Sequence, residues 1–409
     1  MNNYRILLVT NSISFGTAGI YLPLMTLYLQ GLGADLALIS IILTSSAIVG
    51  LAGSYVWGRL ADRVGRRKPF YVGGLAAAAI GYVWLSQANS IGVAWSARLW
   101  DGLSGAAVMT VGLTMLGDAL AASPNKGRSM GLVRGSASLV WALGAFAGGR
   151  IADAFSLQTA FLICSGMFAA AALIALLLQE TKVVKPAALV PAPALAPEQA
   201  KAAAGPIARP KIGLPVLFLA GVVLWGATDM ASSTMWPNYL GSLGYSKTTI
   251  SSLFSLAAFV EMPAMVVFGS LSDLIGRTIM LAAGGFVFAL VQASYIFIVQ
   301  NLPVLLGIQV VRGLGFGSYT ASAMTFATEQ GGHEDRGSNS GMFNAMSSAG
   351  MLTGTMLGGT VAQAFGFTTL YALCAVMATG AGACFLALRR RERRTRRMAG
   401  QVAGPEGNA

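Results

Sequence analysis

Charge is scarce in this chain. Only 10% of its 409 residues are Asp, Glu, Lys or Arg, against about a quarter in soluble domains. That scarcity excludes an ordinary soluble protein and leaves a polytopic membrane protein as the natural reading. Histidine occurs once, at His333, without metal-ligating neighbours, and the three cysteines (Cys164, Cys374, Cys384) all fall in apolar stretches. Neither a disulfide framework nor a metal spacing is present, so no metal site is expected. A Gly-rich loop ending in Lys-Ser/Thr is also missing, which argues against an ATP-driven pump. No convergent nucleophile and base emerges either, so the chain is not expected to be an enzyme and no cofactor is implied.

What is abundant is apolar sequence. Hydrophobic residues make up 55% of the chain, and the mean hydropathy is +0.66. A bilayer core is crossed by about 20 apolar residues in a helix, and twelve segments reach that length. The first is too long for the apolar region of a cleavable signal peptide and is expected to be a membrane helix. Residues 1–180 hold six segments and residues 212–388 hold six more. Between them, 181–211 carry six prolines and many alanines, the composition of a linker. Residues 389–409 open with RRRERRTRR, a basic tail suited to anionic lipid. The net charge of +12 falls in short inter-helix segments rather than on a periodic face, which speaks against nucleic acid as a partner. Under a twelve-helix count nearly all Lys and Arg outside the apolar segments lie on one side, with only Lys247 and Arg150 opposite. By the positive-inside rule both termini are expected in the cytoplasm and the chain in the inner membrane.

The chain repeats itself. GRLADRVGR starts at Gly58 and GSLSDLIGR at Gly269, a shift of 269 − 58 = 211 residues. The same shift relates Tyr28-Leu29 to Tyr239-Leu240 and Gly102-Leu103 to Gly313-Leu314, and a shift of 210 relates GGRIADAF at Gly148 to GGTVAQAF at Gly358. Ordered matches of this kind indicate a duplicated six-helix unit, a symmetry common among transporters.

These residues resemble the major facilitator superfamily. Gly58, Asp62, Arg63, Gly65, Arg66 and Arg67 match its motif A between the second and third helices, and Gly269, Asp273, Gly276 and Arg277 form a reduced copy. The resemblance implies an all-α membrane fold of twelve helices in two pseudo-symmetric six-helix bundles. It also implies that Asp62 with Arg66, and Asp273 with Arg277, form a cytoplasmic gate, whereas Arg59, Arg67 and Lys68 are expected to act only as positive-inside topology signals. Gly65 suits a tight turn, and Gly58 a close helix approach. Asp118 and Arg128, with counterparts Glu329 and Arg336, extend the charge network of that gate.

Ionisable residues at membrane depth are costly and mark function. Arg98 and Asp101 fall in the fourth segment, Asp229 in the seventh, Glu261 in the eighth and Arg312 in the tenth. In the superfamily, helices 1, 4, 7 and 10 line the central cavity, so these five are candidates for proton coupling there, Asp229 first. Asp101 and Arg312 are repeat equivalents (312 − 101 = 211), and the expectation is that the acid faces the base across the two halves. Arg98 and Asp101, spaced i,i+3, can also meet on one helix face. RLWDGLSGAA resembles motif B of proton-coupled members. Around Asp229, the residues Trp225, Met230, Ser233, Met235, Trp236 and Tyr239 offer an aromatic, Met-rich wall suited to amphipathic or cationic ligands. Pro237 is expected to distort its helix.

Gly144, Gly148 and Gly149, and Gly350, Gly354, Gly358 and Gly359, follow small-xxx-small spacing and are expected at the interface between the halves. The first set resembles the antiporter motif C, although Ala145 replaces its proline and Val140 a glycine. The resemblance is strongest to the drug:proton antiporter branch. The expected function is proton-coupled efflux of amphipathic organic compounds by a monomer in contact with protons, lipid and a small-molecule substrate. Symport or uniport of a small metabolite is the alternative, and a transporter-like sensor or scaffold is the remote one.

Overall fold

The computed structural model describes residues 3–121, 126–180, 213–330 and 336–402, and the described residues are helical with short turns between. The first half contains α1 (Asn3–Gly31), α2 (Leu36–Val64), α3 (Lys68–Ser86), α4 (Ile91–Ala121), α5 (Lys126–Ala154) and α6 (Leu157–Ala175). The second contains α7 (Val216–Ser242), α8 (Lys247–Ile275), α9 (Arg277–Phe297) and α10 (Leu302–Glu329), followed by the run Arg336–Val402. That run is interrupted at Gly366, whose φ of 82° and ψ of 167° are non-helical, so its limbs 336–365 and 367–402 are α11 and α12. Among the described residues, ten runs are long and apolar enough to cross a bilayer. The length of α5 and the break at Gly366 bring the number of spans to twelve. The protein is a multi-pass membrane protein of two six-helix bundles.

Repeated local chemistry sets the helix ends. Asp35 accepts the N–H of Leu38 at 2.7 Å, and its equivalent Ser246 accepts that of Thr249 at 3.1 Å. Ser90 and its equivalent Asn301 cap α4 and α10 in the same way. Each of these side chains satisfies an N–H that the first helical turn cannot. The turn after α2 places Gly65 at φ 70°, and the equivalent Gly276 sits at φ 101°, a region where a side chain would clash. The two halves therefore turn at the same places because their sequences cap and break at the same places.

An even number of spans puts both ends of the described chain on one face. Asn3 donates to the carbonyl of Gln179 at 2.9 Å on that face, which also carries Arg63, Arg66, Arg67, Arg277 and Arg336. We call it the basic face, and the opposite one the far face. α1 does not run straight to the far face. Pro23 lacks an N–H, and the chain tightens into a 3₁₀ turn over Leu22–Leu24 before helix resumes. Pro237, by contrast, sits inside a continuous α7, so the distortion expected there occurs in α1 instead. Residues 389–402, expected as a separate tail, continue α12 as helix through Val402.

The glycine stripes pack mainly inside each half rather than between the halves. A methyl added at Gly144 or Gly148 would collide with the backbone of Gly16 or Ile20 in α1, and one at Gly354 or Gly358 with Ala227 or Ala231 in α7. Only the neighbouring glycines Gly149 and Gly359 touch the opposite half, at Lys247 in α8 and Leu36 in α2. The reason is helical geometry: residues four apart share a face and meet one neighbour, while the next residue turns away by about 100°. The far-face ends of α5 and α11 thus lie against α8 and α2 of the other half.

Gly148→Leu is expected to cost about 3 kcal/mol or more through overpacking and to lower the thermal unfolding midpoint in detergent. Gly166→Ala, with open space around it, should leave the midpoint unchanged.

Candidate functional site

A cavity of about 390 Å³ lies between the halves at mid-helix depth. α7 contributes Asp229, Met230, Ser233 and Thr234, α8 contributes Phe254, Ala258 and Glu261, and α10 contributes Arg312 and Phe316. From the first half come Phe15, Ser138 and Trp141, with Pro23, Met25 and Thr26 of the broken part of α1 forming the end toward the far face. Most of the surface is apolar and aromatic, and the polar groups concentrate on the second half. Size, apolar lining and a few convergent polar groups are the usual features of a small-molecule site.

The cavity charges are arranged unequally. Arg312 Nη2 donates to Asp229 Oδ1 at 3.3 Å, and both side chains are nearly buried. Glu261 reaches the same space from α8 with neither a hydrogen bond nor an ion pair to its carboxylate among the described residues. Two acids and one base leave one net negative charge when all are ionised. Inside a low-dielectric membrane protein such a charge is expensive unless water or a ligand reaches it.

Arg98 and Asp101 do not join this cluster. They pair with each other along α4 inside the first half, with Arg98 5.9 Å from the ring centre of Tyr21. Ser46 donates to the Arg98 carbonyl at 2.6 Å, tying α2 to that turn. The expectation that Asp101 faces Arg312 across the halves is therefore corrected. Each of these two acids finds its base within its own half, on its own helix for Asp101 and on α10 for Asp229 of α7. The i,i+3 spacing was the more informative signal.

The expected wall around Asp229 divides by helical face. Met230 and Ser233 line the cavity. Trp225 turns away and stacks on Tyr319, centroids 3.7 Å apart. Met235 is fully buried in the first half's core cluster, and Tyr239 packs 5.1 Å from the Tyr371 ring. Trp236 lies 4.1 Å from the Tyr295 ring and borders only a minor crevice beside Arg312. Trp225, Met235, Trp236 and Tyr239 therefore hold α7 in place. The cavity's aromatic groups are instead Phe15, Trp141, Phe254 and Phe316. Sequence reasoning passed over these because no charge stands beside them in the chain.

At the basic face, the charges of the two motif copies pair inside their own halves. Arg67 lies 3.4 Å from Asp62 and also binds Asp118, with only 12% of its side chain exposed. Arg277 binds Asp273 and, at 2.9 Å, Glu329. Arg63 and Arg66 are exposed, so Arg67 takes the place expected of Arg66, and its reading as a topology signal is corrected. The repeat aligns Arg277 with Arg66, but α3 begins two residues later in the repeat frame than α9 does, and the arginine that pairs is the next one, Arg67. Gly58 lies in ordinary contact with Thr110 of α4, while Arg336 is exposed. Arg128 lies outside the residues whose side chains are described. In this arrangement Asp62 and Asp273 bind their own halves, whereas the contacts joining the halves gather toward the far face. There Asn238 donates to Gln30 at 2.7 Å and to the Thr26 carbonyl at 3.3 Å, and Ser255 donates to the Ala142 carbonyl at 2.8 Å.

The two-bundle fold is matched by the comparisons. A model described as the MFS_1 like family covers residues 5–373. The chain belongs to this family of major facilitator transporters. It is 26% identical over 385 residues to a "Putative sugar efflux transporter" of Deinococcus radiodurans, spanning 90% of this chain and 93% of that one. It is 31% identical over 161 residues to an uncharacterised MFS-type transporter of Schizosaccharomyces pombe, spanning 39% of this chain and 36% of that one. The fold superposes on the nucleoside transporter NupG with a TM-score of 0.77 at 17% identity, covering 95% of this chain and 99% of NupG. A substituted form of NupG gives 0.79. The protein is thus a transporter and not an enzyme, and its partner is a small molecule.

Removing one member of the buried pair should be worse than removing both. Arg312→Ala is expected to cost about 3–5 kcal/mol by stranding Asp229. Combining it with Asp229→Asn should restore much of the unfolding midpoint, measured by differential scanning fluorimetry in detergent.

Proposed function

We propose that the protein exports a small, hydroxyl-bearing, amphipathic organic molecule of about sugar size across the inner membrane in exchange for protons. The basic face lies toward the cytoplasm. The observation that carries the reading is the grouping of the Asp229–Arg312 pair with an unpartnered Glu261 on one cavity wall. A paired and an unpaired carboxylate within one space allow division of labour. Glu261 takes up and releases the proton, and Asp229 keeps Arg312 oriented toward the substrate. When Glu261 is neutral the three groups carry no net charge, so the cavity can close around them at lower cost.

The cargo class follows from the lining. Guanidinium and carboxylate groups hydrogen-bond hydroxyls well, Ser138, Ser233 and Thr234 add neutral partners, and Trp141, Phe254 and Phe316 offer flat apolar faces. The volume lies near the bottom of the range of about 300–1,000 Å³ for small-molecule sites, which favours compact cargo over bulky hydrophobic drugs. The relation to the Deinococcus protein supports efflux of such a molecule. One observation favours the opposite direction: Ala145 stands where antiporter helices of the superfamily carry a proline, and uptake of a small metabolite is the second reading.

In proteoliposomes with an imposed ΔpH, candidate sugars and amphipathic dyes should move opposite to the proton flow. Movement with the proton flow would establish uptake instead. Glu261→Gln is expected to lower ΔpH-driven flux by at least tenfold while leaving substrate counterflow near the parent rate. Equal loss of both activities would assign Glu261 to substrate binding rather than to the proton.

A further inference from the structure

The repeated GGRIADAF and GGTVAQAF segments have a use outside the cavity. They place Asp153 and Gln363 at equivalent positions (363 − 153 = 210) near the far-face ends of α5 and α11. Each side chain crosses to the other half. Asp153 accepts the N–H of Thr248 at 2.7 Å and that of Lys247 at 3.3 Å, with Lys247 Nζ also 3.6 Å away. Gln363 Oε1 accepts the N–H of Leu36 at 3.1 Å. Lys247 and Leu36 open α8 and α2 and are themselves repeat equivalents (247 − 36 = 211).

The donors used are those left over by the helices' own caps. Asp35 and Ser246 take the N–H three residues on, at Leu38 and Thr249. The N–H groups at the very start of α2 and α8 have no partner within their helix, and the opposite half supplies one. Four residues earlier on each crossing helix, Gly149 and Gly359 bring backbone against backbone, and a methyl on either would collide with the carbonyl of Lys247 or Leu36. The N–H of Gly359 donates to Ser40 Oγ at 2.8 Å. Close approach and cross-capping therefore coincide at both symmetry-related contacts.

We infer that Asp153 and Gln363 are paired positioning residues of the transport cycle, two cross-caps that hold the cavity shut toward the far face. Both must release before the cavity opens there. The inference rests on an alternating-access cycle for this transporter, but not on protons or on a particular cargo. The two caps are unequal. Asp153 brings a full negative charge to the positive end of α8 and to Lys247, whereas Gln363 offers only an amide dipole to α2. Loss of the Asp153 cap therefore shifts the balance further.

The test is thiol accessibility. A Met230→Cys reporter on the cavity wall, in a Cys384→Ser background, is labelled with a membrane-impermeant maleimide from each face of oriented vesicles. Asp153→Ala is expected to raise the far-face labelling rate about tenfold and Gln363→Ala about threefold, while Asp153→Asn, which keeps an acceptor but loses the charge, lies between the parent and Asp153→Ala. Far-face labelling that is unchanged in both alanine variants, while basic-face labelling shows the reporter to be accessible, would overturn the inference. If Asp153→Ala does not fold, Gln363→Ala decides alone in the same way. A wild-type protein that moves no substrate under ΔpH would end the proton-coupled reading without touching the labelling result.

Discussion

A charge inside hydrocarbon must find its partner nearby, and here both arginines at membrane depth find theirs within their own half. Arg98 pairs with Asp101 in the first bundle, and Arg312 with Asp229 in the second. At the basic face Arg67 serves Asp62 and Asp118, and Arg277 serves Asp273 and Glu329. Had these pairs bridged the bundles, each reorientation would have separated opposite charges in a low dielectric, at a cost of several kcal/mol per ion. Pairing within each half lets two rigid bodies move past one another with their electrostatics intact. What joins them instead are neutral amide contacts and helix-end caps near water, including the partly exposed Asp153–Lys247 pair, which exchange readily for hydration.

Duplication supplies the scaffold, and departures from it supply the chemistry. Caps, turns and close-packing glycines recur at shifts of 210 or 211 residues, as Asp35 with Ser246 and Gly65 with Gly276 show. The charges at membrane depth do not recur with their sign. Asp229 corresponds to Ala18, Glu261 to Gly50 and Arg98 to Gln309. The polar side of the cavity therefore belongs to the second half, while the first half offers Phe15, Trp141 and the broken segment of α1. A substrate held between them meets hydrogen-bonding groups on one side and a largely apolar surface on the other.

Much of the architecture was legible before any coordinates. Apolar length gave the spans, and the repeat gave the two bundles. Charges at membrane depth drew attention to Asp229, Glu261 and Arg312, which do share a wall of the cavity. The failures have a common cause. Trp225, Met235 and Tyr239 stand beside Asp229 in sequence, yet about 100° per residue decides which of them shares its face, and sequence proximity ignores that angle. Gly144 and Gly148 likewise read correctly as close-packing residues, but nothing in their spacing names the neighbour, which is α1 of the same half. Arg67 was misjudged because the repeat aligns letters, whereas the position of the pairing arginine depends on where α3 begins.

The basic-face turn has one more attachment. Glu180, the last described residue before the 181–212 segment, takes the backbone N–H groups of Arg67 at 2.9 Å and Lys68 at 3.3 Å. The covalent strand that connects the bundles therefore departs from a point fastened to the turn between α2 and α3, not from a free helix end. Any pull along that strand acts first on the residue that holds Asp62 and Asp118 together. The connection between the bundles thus begins at two backbone hydrogen bonds to the turn whose charges the motif assembles.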